Sequence, residues 1–187
     1  RYDADWREST YKNYFWMVPY DLQGLIDSIG GKEAAEKRLD EMFRRLDASY
    51  GDEWFASGNE PSFQIPWIYN WAGVPYKAQQ VIRRILNEQY SSRVNGLPGN
   101  DDLGSMGAWY VFASIGLFPE IPGVGGFSVN SPVFRKIVLH LPEGDVIIKG
   151  GDEKKEYIHS LSLDGKKMEG TWSDWSDLYR GATLEYK

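Results

Sequence analysis

Cysteine is absent from this chain, and histidine occurs only twice. The first absence excludes disulfides, thiolate chemistry and cysteine-based zinc sites, although it does not fix the compartment. His140 and His159 fall in separate predicted strands without ligand spacing, so they read as structural residues and not as a zinc pair. No run of about 18 apolar residues exists, which excludes a membrane-spanning helix. No basic cluster exists either, and 27 acidic residues against 21 basic ones leave a net charge of -6. That balance argues against a nucleic-acid partner. No glycine-rich phosphate loop of standard spacing is present, and Gly123-Val124-Gly125-Gly126 leads into a strand, as a linker would. Neither Ser9 nor Ser105 has a histidine nearby in sequence, so a serine nucleophile is unsupported. There is no repeat and no low-complexity tract. The chain opens at Arg1 with no signal peptide and no initiator methionine, which reads as a processed or excised piece.

Aromatic residues are what the chain has in excess: 15% of 187 residues, with eight Trp and twelve Tyr. Aromatic faces stack on the C–H faces of sugars, and they also fill large cores. A hydrophobic fraction of 42% and a charged fraction of 26% suit a soluble globular fold.

Residues 1–118 read as helices. After Pro19, Asp21 is placed to cap a helix carrying Leu22, Leu25, Ile26 and Ile29, which Gly30-Gly31 ends. Lys32 to Leu46 predicts an amphipathic helix with Leu39, Met42, Phe43 and Leu46 on its buried face. Gln64 to Trp71 predicts a short buried helix, and Pro75 opens an outer amphipathic helix running to Tyr90. A last helix, apolar all round and expected to be buried, runs from about Leu103 to Leu117. Buried and amphipathic helices that alternate across polar loops are the pattern of a helical toroid, with functional groups on loops at one end. About five helices are too few to close one.

Residues 119–187 change texture. Pro119 to Gly126 is coil. Short alternating segments then follow at Phe127 to Asn130, Lys136 to Leu141, Val146 to Lys149, Tyr157 to Leu163 and Ala182 to Tyr186. They predict antiparallel strands of a β-sandwich-like region. The fold class is therefore α+β, with residues 1–118 as part of an (α/α) toroid and residues 119–187 as the sandwich-like part.

Three polar loops sit beside apolar segments and hold Glu8, Asn59-Glu60 and Asn100-Asp101-Asp102. Glycosidic hydrolysis needs one protonated and one ionised carboxyl group, and clustered oxygen ligands suit a hard cation such as calcium. Local explanations compete with this one. Asp101-Asp102 also reads as a doubled helix cap, Asn59-Glu60-Pro61 as a turn before proline, and Glu8 as a solvated acid.

Four motifs resemble glycoside hydrolase family 92. They are Pro98-Gly99-Asn100-Asp101-Asp102-Leu103-Gly104-Ser105-Met106-Gly107-Ala108-Trp109-Tyr110-Val111-Phe112, continuing through Gly116-Leu117-Phe118-Pro119; Gly58-Asn59-Glu60-Pro61-Ser62 with Ile65-Pro66-Trp67-Ile68-Tyr69-Asn70-Trp71-Ala72-Gly73; Val18-Pro19-Tyr20-Asp21; and Asn130-Ser131-Pro132-Val133-Phe134. The resemblance implies part of an exported, bacterial, calcium-dependent exo-α-mannosidase (periplasmic, cell-surface or extracellular). Such an enzyme acts by inversion on α-1,2 or related linkages of mannan or N-glycans. The resemblance casts Glu8 as acid and Asp102 as base with Asp101 in support. It casts Asn59, Glu60, Asn100 and Trp16 as substrate-binding residues, and Asn59, Glu60 and Asp102 as calcium ligands. Mannose-containing glycans and the missing N-terminal region of a longer parent are the implied partners. An isolated piece would then be inactive and would expose an apolar face. The chain departs from the family pattern at Ser9-Thr10-Tyr11-Lys12-Asn13, at Tyr20 in place of histidine and at Asn130 in place of glycine. The first departure leaves open a non-catalytic carbohydrate-binding or scaffold piece. A toroid lyase, with a tyrosine or histidine base, finds no such pair here.

Overall fold

The structure, a computed structural model, describes residues 5–187. It is a mixed helix-and-sheet protein that divides into two compact units, Arg1–Tyr110 and Val111–Lys187.

The first unit is helical. α1 (Tyr11–Tyr14) is one turn, and a 3-10 turn at Pro19–Asp21 leads into α2 (Leu22–Ser28). The Asp21 carboxylate caps α2 by accepting the Gly24 N–H at 3.0 Å. Beyond the helix, Gly30 adopts φ 108° and the Gly31 N–H reaches the Ile26 carbonyl at 2.9 Å. These satisfy the last turn as expected. α3 (Lys32–Met42) stops short of its predicted end. Phe43 and Leu46 are still buried, but the returning chain takes the carbonyls that would continue the helix. Phe55 N–H donates to Met42 O at 3.1 Å and Ser57 N–H to Leu46 O at 3.4 Å. The predicted Gln64–Trp71 helix is a 3-10 turn at Ile65–Trp67 running into α4 (Ile68–Trp71). α5 (Pro75–Glu88) buries Ala78, Val81, Ile82, Ile85 and Leu86, with Pro75 in its first turn.

α6 (Ser105–Ile115) is apolar all round but not buried all round. Met106, Trp109 and Ala113 are buried, whereas Ala108, Tyr110 and Val111 are exposed. Tyr90 packs on one side of Tyr110 at 5.1 Å, and Ala108 and Val111 are left open among the described residues.

The second unit holds two sheets. β1 (Leu117–Phe118), β2 (Gly126–Val129) and β7 (Trp172–Asp174) form an antiparallel three-stranded sheet in the order β1-β2-β7. β3 (Lys136–Leu141), β4 (Gly144–Lys149), β5 (Leu161–Leu163), β6 (Lys166–Lys167) and β8 (Ala182–Tyr186) form the other, in the order β3-β4-β8-β5-β6. Leu117 and Val129 of the small sheet share a core with Val146, Ile148, Leu161, Leu184 and Tyr186 of the large one, and Leu178 of α7 (Trp175–Leu178) joins it. Two expectations need correcting. The large sheet is not wholly antiparallel, because β8 lies parallel to β4 with Val146 opposite Ala182. β8 returns after a long excursion and not through a hairpin, so nothing forces the antiparallel sense. The strand expected from Tyr157 begins only at Leu161. His159 and Ser160 instead hold the Lys187 carbonyl through their N–H groups, which places His159 in a loop.

Leu184 is fully buried on the central strand. Leu184→Ala is expected to destabilise the protein by about 2–5 kcal/mol, through lost transfer energy and the cavity left behind. A shift of the urea midpoint without a change in slope is the readout.

Candidate active site

The site is built where two loops of the first unit cross. A Cβ on Gly58 would lie 2.5 Å from the Pro98 carbonyl oxygen, and one on Gly99 would lie 2.3 Å from the Gly58 oxygen. Only glycine on both chains allows this backbone-on-backbone contact. It sets Asn59-Glu60 beside Asn100-Asp101-Asp102.

Each loop is anchored behind the crossing. Asn13 of α1 is fully buried. It donates to the Trp54 carbonyl at 2.9 Å, and its Oδ1 accepts the Ala56 N–H and the Ser62 hydroxyl, both at 3.2 Å. Lys12 pairs with Glu53 at 2.8 Å. The departures at 12 and 13 therefore tie α1 to the 52–62 loop. On the other side, Trp109 Nε1 of α6 donates to the Phe63 carbonyl at 3.0 Å, and its ring stacks on Tyr90 at 5.8 Å.

Asn59 is buried, and its amide orientation follows from its partners. Nδ2 donates to the Glu8 carbonyl at 3.1 Å and to the Tyr14 hydroxyl. Both amide hydrogens are thereby used, and Oδ1 is left buried with no hydrogen-bond partner. The Glu60 Oε1 is in the same condition. Burial, more than anything else, pushes the Glu60 carboxyl above its ordinary range, and the facing Asp102 carboxyl and the Glu8 charge push it further. Glu60 thus sits within the electrostatic reach of both Glu8 and Asp102.

The two adjacent aspartates part company. Asp101 Oδ1 accepts the Gly107 N–H at 3.1 Å, inside the first turn of α6, and its carbonyl accepts the Met106 N–H at 3.2 Å. Asp101 is a helix cap. Its negative charge also adds to the burial that raises the Tyr90 hydroxyl. Asp102 instead turns toward Glu60. It can do so because Asp102, Leu103 and Gly104 take successive positive φ values of 44°, 61° and 90°. Left-handed backbone costs about 1–2 kcal/mol at a non-glycine residue, and the Leu103 side chain is fully exposed and recovers none of it. Among the described residues four non-glycines have positive φ, and Glu8 at 63° is another of them. Both carboxylates expected to do chemistry therefore stand on strained backbone, which is a mark of functional positions.

Two expected site residues stand apart. Asn100 is exposed, and among the described residues its side chain makes no hydrogen bond to the cluster. Trp16 is 2% exposed and packs edge-to-face on Phe15 at 5.1 Å. It belongs to the core and has no open face for a sugar, which corrects the expectation. It borders a cavity of about 410 Å³ lined by Tyr11, Lys12, Arg38 and Glu41, which contains none of the candidate carboxylates. Asn13 and Tyr14 were not anticipated as site residues. Their only sequence signal is a position a few residues beyond Glu8.

Among the described residues no group of three or more Asp, Glu, His or Cys could hold a metal ion by itself. Two carboxylates and an orphaned amide oxygen nevertheless fit part of the oxygen shell of a hard cation. Carboxyl groups facing each other across a crossing of loops, one of them half-buried, with unpartnered oxygens beside them, make a site suited to acid–base chemistry.

Comparison with known proteins gives this class a family. Residues 1–187 match the glycosyl hydrolase family 92 catalytic domain. A protein of Arthroderma benhamiae, described as an uncharacterized secreted glycosidase, is 31% identical over 188 residues, covering 95% of this chain and 23% of that protein. A family 92 α-mannosidase of Bacteroides thetaiotaomicron, solved in complex with mannoimidazole, aligns at TM-score 0.86 and 31% identity over 95% of this chain and 25% of its own. A family 92 inverting mannosidase of the same species aligns at TM-score 0.87 and 29% identity, over 100% of this chain and 29% of its own. The chain belongs to glycosyl hydrolase family 92. It spans about a quarter of the length of these relatives.

The raised Glu60 carboxyl predicts a stability signature. Its folded state favours the protonated form, so its contribution to stability is fully present below the ordinary carboxylate pKa and is lost as pH rises through the raised one. Glu60→Gln removes that loss. With cations chelated, the variant is expected to melt above the wild type at pH 7, a gain of about 0.5–2 kcal/mol. The difference should vanish near pH 4. Thermal melts at the two pH values decide.

Proposed function

We propose that the parent protein is an exo-acting α-mannosidase that hydrolyses α-mannosidic bonds with inversion, and that this chain carries its acid, its base and its cation-binding residues. The observation that carries the reading is the charge placement at Glu60. Its carboxyl lies within the influence of Glu8 and Asp102 together, in a family whose solved members at comparable identity include α-mannosidases. The substrates are mannose-containing glycans, with α-1,2 or related linkages of mannan or N-glycans as the expected bonds. The helical unit would be one arc of a toroid completed by the rest of the parent, which would also cover the exposed stripe of α6. No helix of the described residues is long and apolar enough to cross a membrane, and the secreted relative supports an exported protein.

In this mechanism Glu8 gives its proton to the glycosidic oxygen as the bond to the anomeric carbon breaks. Asp102 takes a proton from water as that water's oxygen bonds the same carbon from the opposite face. Each carboxyl ends in the protonation state opposite to its first, and the configuration inverts. Asn59 Oδ1, Glu60 and Asp102 would hold calcium, which supplies an electrophilic grip on sugar hydroxyls that favours ring distortion. Asp101 fixes the helix end from which Asp102 projects.

In the full-length parent, Asp102→Asn and Glu8→Gln are expected to lower turnover of an α-mannobioside on the order of 10²–10⁴-fold. A chelator should lower it reversibly, and NMR should show β-mannose as the first product. Initial release of α-mannose would overturn inversion, and turnover indifferent to chelation would overturn the calcium assignment. The isolated chain should show no turnover, because transition-state binding needs walls it does not contain.

A further inference from the structure

The geometry points to Tyr14 as the positioning residue that holds the Glu8 carboxyl over the substrate. The inference rests on the reading of Glu8 as the acid. Two peptide groups flank the Glu8 Cα, and each is pinned by a single side chain. The Tyr14 hydroxyl donates to the Arg7 carbonyl at 2.5 Å, and Asn59 Nδ2 donates to the Glu8 carbonyl at 3.1 Å. The two pins are joined, since Asn59 also donates to the Tyr14 oxygen. Fixing both peptide planes fixes φ and ψ of Glu8, and with them the direction of its Cα–Cβ bond.

That direction is not the one residue 8 would choose. Its φ of 63° lies in the left-handed region that non-glycine residues avoid. Without the Tyr14 hydroxyl, the Arg7–Glu8 peptide is free to rotate toward negative φ, which swings the carboxyl away. The tyrosine itself is held, because Trp6 stacks on its ring at 5.2 Å with 18° between planes. Burial and the nearby Glu8 charge both raise the Tyr14 hydroxyl, which keeps its proton in place for Arg7. Tyr14 acts through Glu8 and touches no reacting atom.

A misplaced acid has a signature that a loosened fold lacks, because it matters only when the leaving group needs a proton. The test is Tyr14→Phe in the full-length parent, assayed on an α-mannobioside and on 2,4-dinitrophenyl α-mannoside. On the disaccharide kcat is expected to fall about 10–100-fold with KM little changed. On the dinitrophenyl substrate, whose phenolate leaves unprotonated, kcat should stay within about threefold of wild type. Trp6→Leu, which keeps the hydroxyl but removes the stack, should show the same pattern more weakly and serves if Tyr14→Phe does not fold. Equal losses on both substrates, or no loss on either, would overturn the role. Glu8→Gln runs alongside. If it lacks the leaving-group pattern, the assignment of Glu8 as acid fails first, and the Tyr14 role fails with it.

Discussion

The crossing of two backbones at Gly58 and Gly99 is the constraint on which the rest of the site depends. The Gly58 loop has only a 3-10 turn at Glu60–Ser62 beside it, yet at the crossing there is no room for a single carbon atom on either backbone. Contact that close turns two loops into one object. The polar groups of the site are then referred to it: the Asn59 amide reaches back to the Glu8 backbone, and Asp102 faces Glu60 from the far loop. Asn13 behind one loop and Trp109 behind the other stop the pair from rotating as a unit.

The site works against the stability of the protein that holds it. Three acids gather at one crossing, where burial penalises the charge of Glu60; Glu8 and Asp102 stand on left-handed backbone, and the Asn59 and Glu60 oxygens are buried without partners. Each of these would be removed by selection for stability alone. Two carboxylates on strained backbone beside two unpartnered oxygens, all within one patch, form the pattern of a functional centre. The exposed Leu103 belongs to the same account. A leucine with positive φ and no burial has no local justification. It sits there because the turn that aims Asp102 passes through it.

Much of the helical unit was legible from sequence because helix ends have local chemistry. Asp21 and Gly30-Gly31 mark α2, Pro75 opens α5, and the buried faces follow the 3.6-residue period. What was not legible depends on contacts between distant segments. α3 ends at Met42 because residues 55–57 return to it. Trp16 looked available for stacking, but an aromatic in a short helical turn can face either way, and here packing takes it inward. The adjacent aspartates were ambiguous because capping a helix and serving a site call for the same residue type. Three left-handed residues in a row separate them, and no local rule predicts such a run. The Asn59 pin joins positions fifty-one apart in sequence, beyond any spacing argument, and the Tyr14 pin reaches back seven residues to a backbone carbonyl, which no side-chain pattern marks.

The parallel pairing of β8 with β4 bears on how the protein is made. β8 lies in the middle of the five-stranded sheet, between β4 and β5, yet it is the last of those strands to be synthesised. Until residue 186 has left the ribosome, β4 and β5 each present an unpaired inner edge, and the core of the second unit stays open. The helical unit carries no such debt, since its helices through α6 are all made before β1 begins at Leu117. Vectorial synthesis therefore favours a folded site-bearing unit trailed by an unfinished sheet, whose bare edges are the natural target for chaperones or for aggregation.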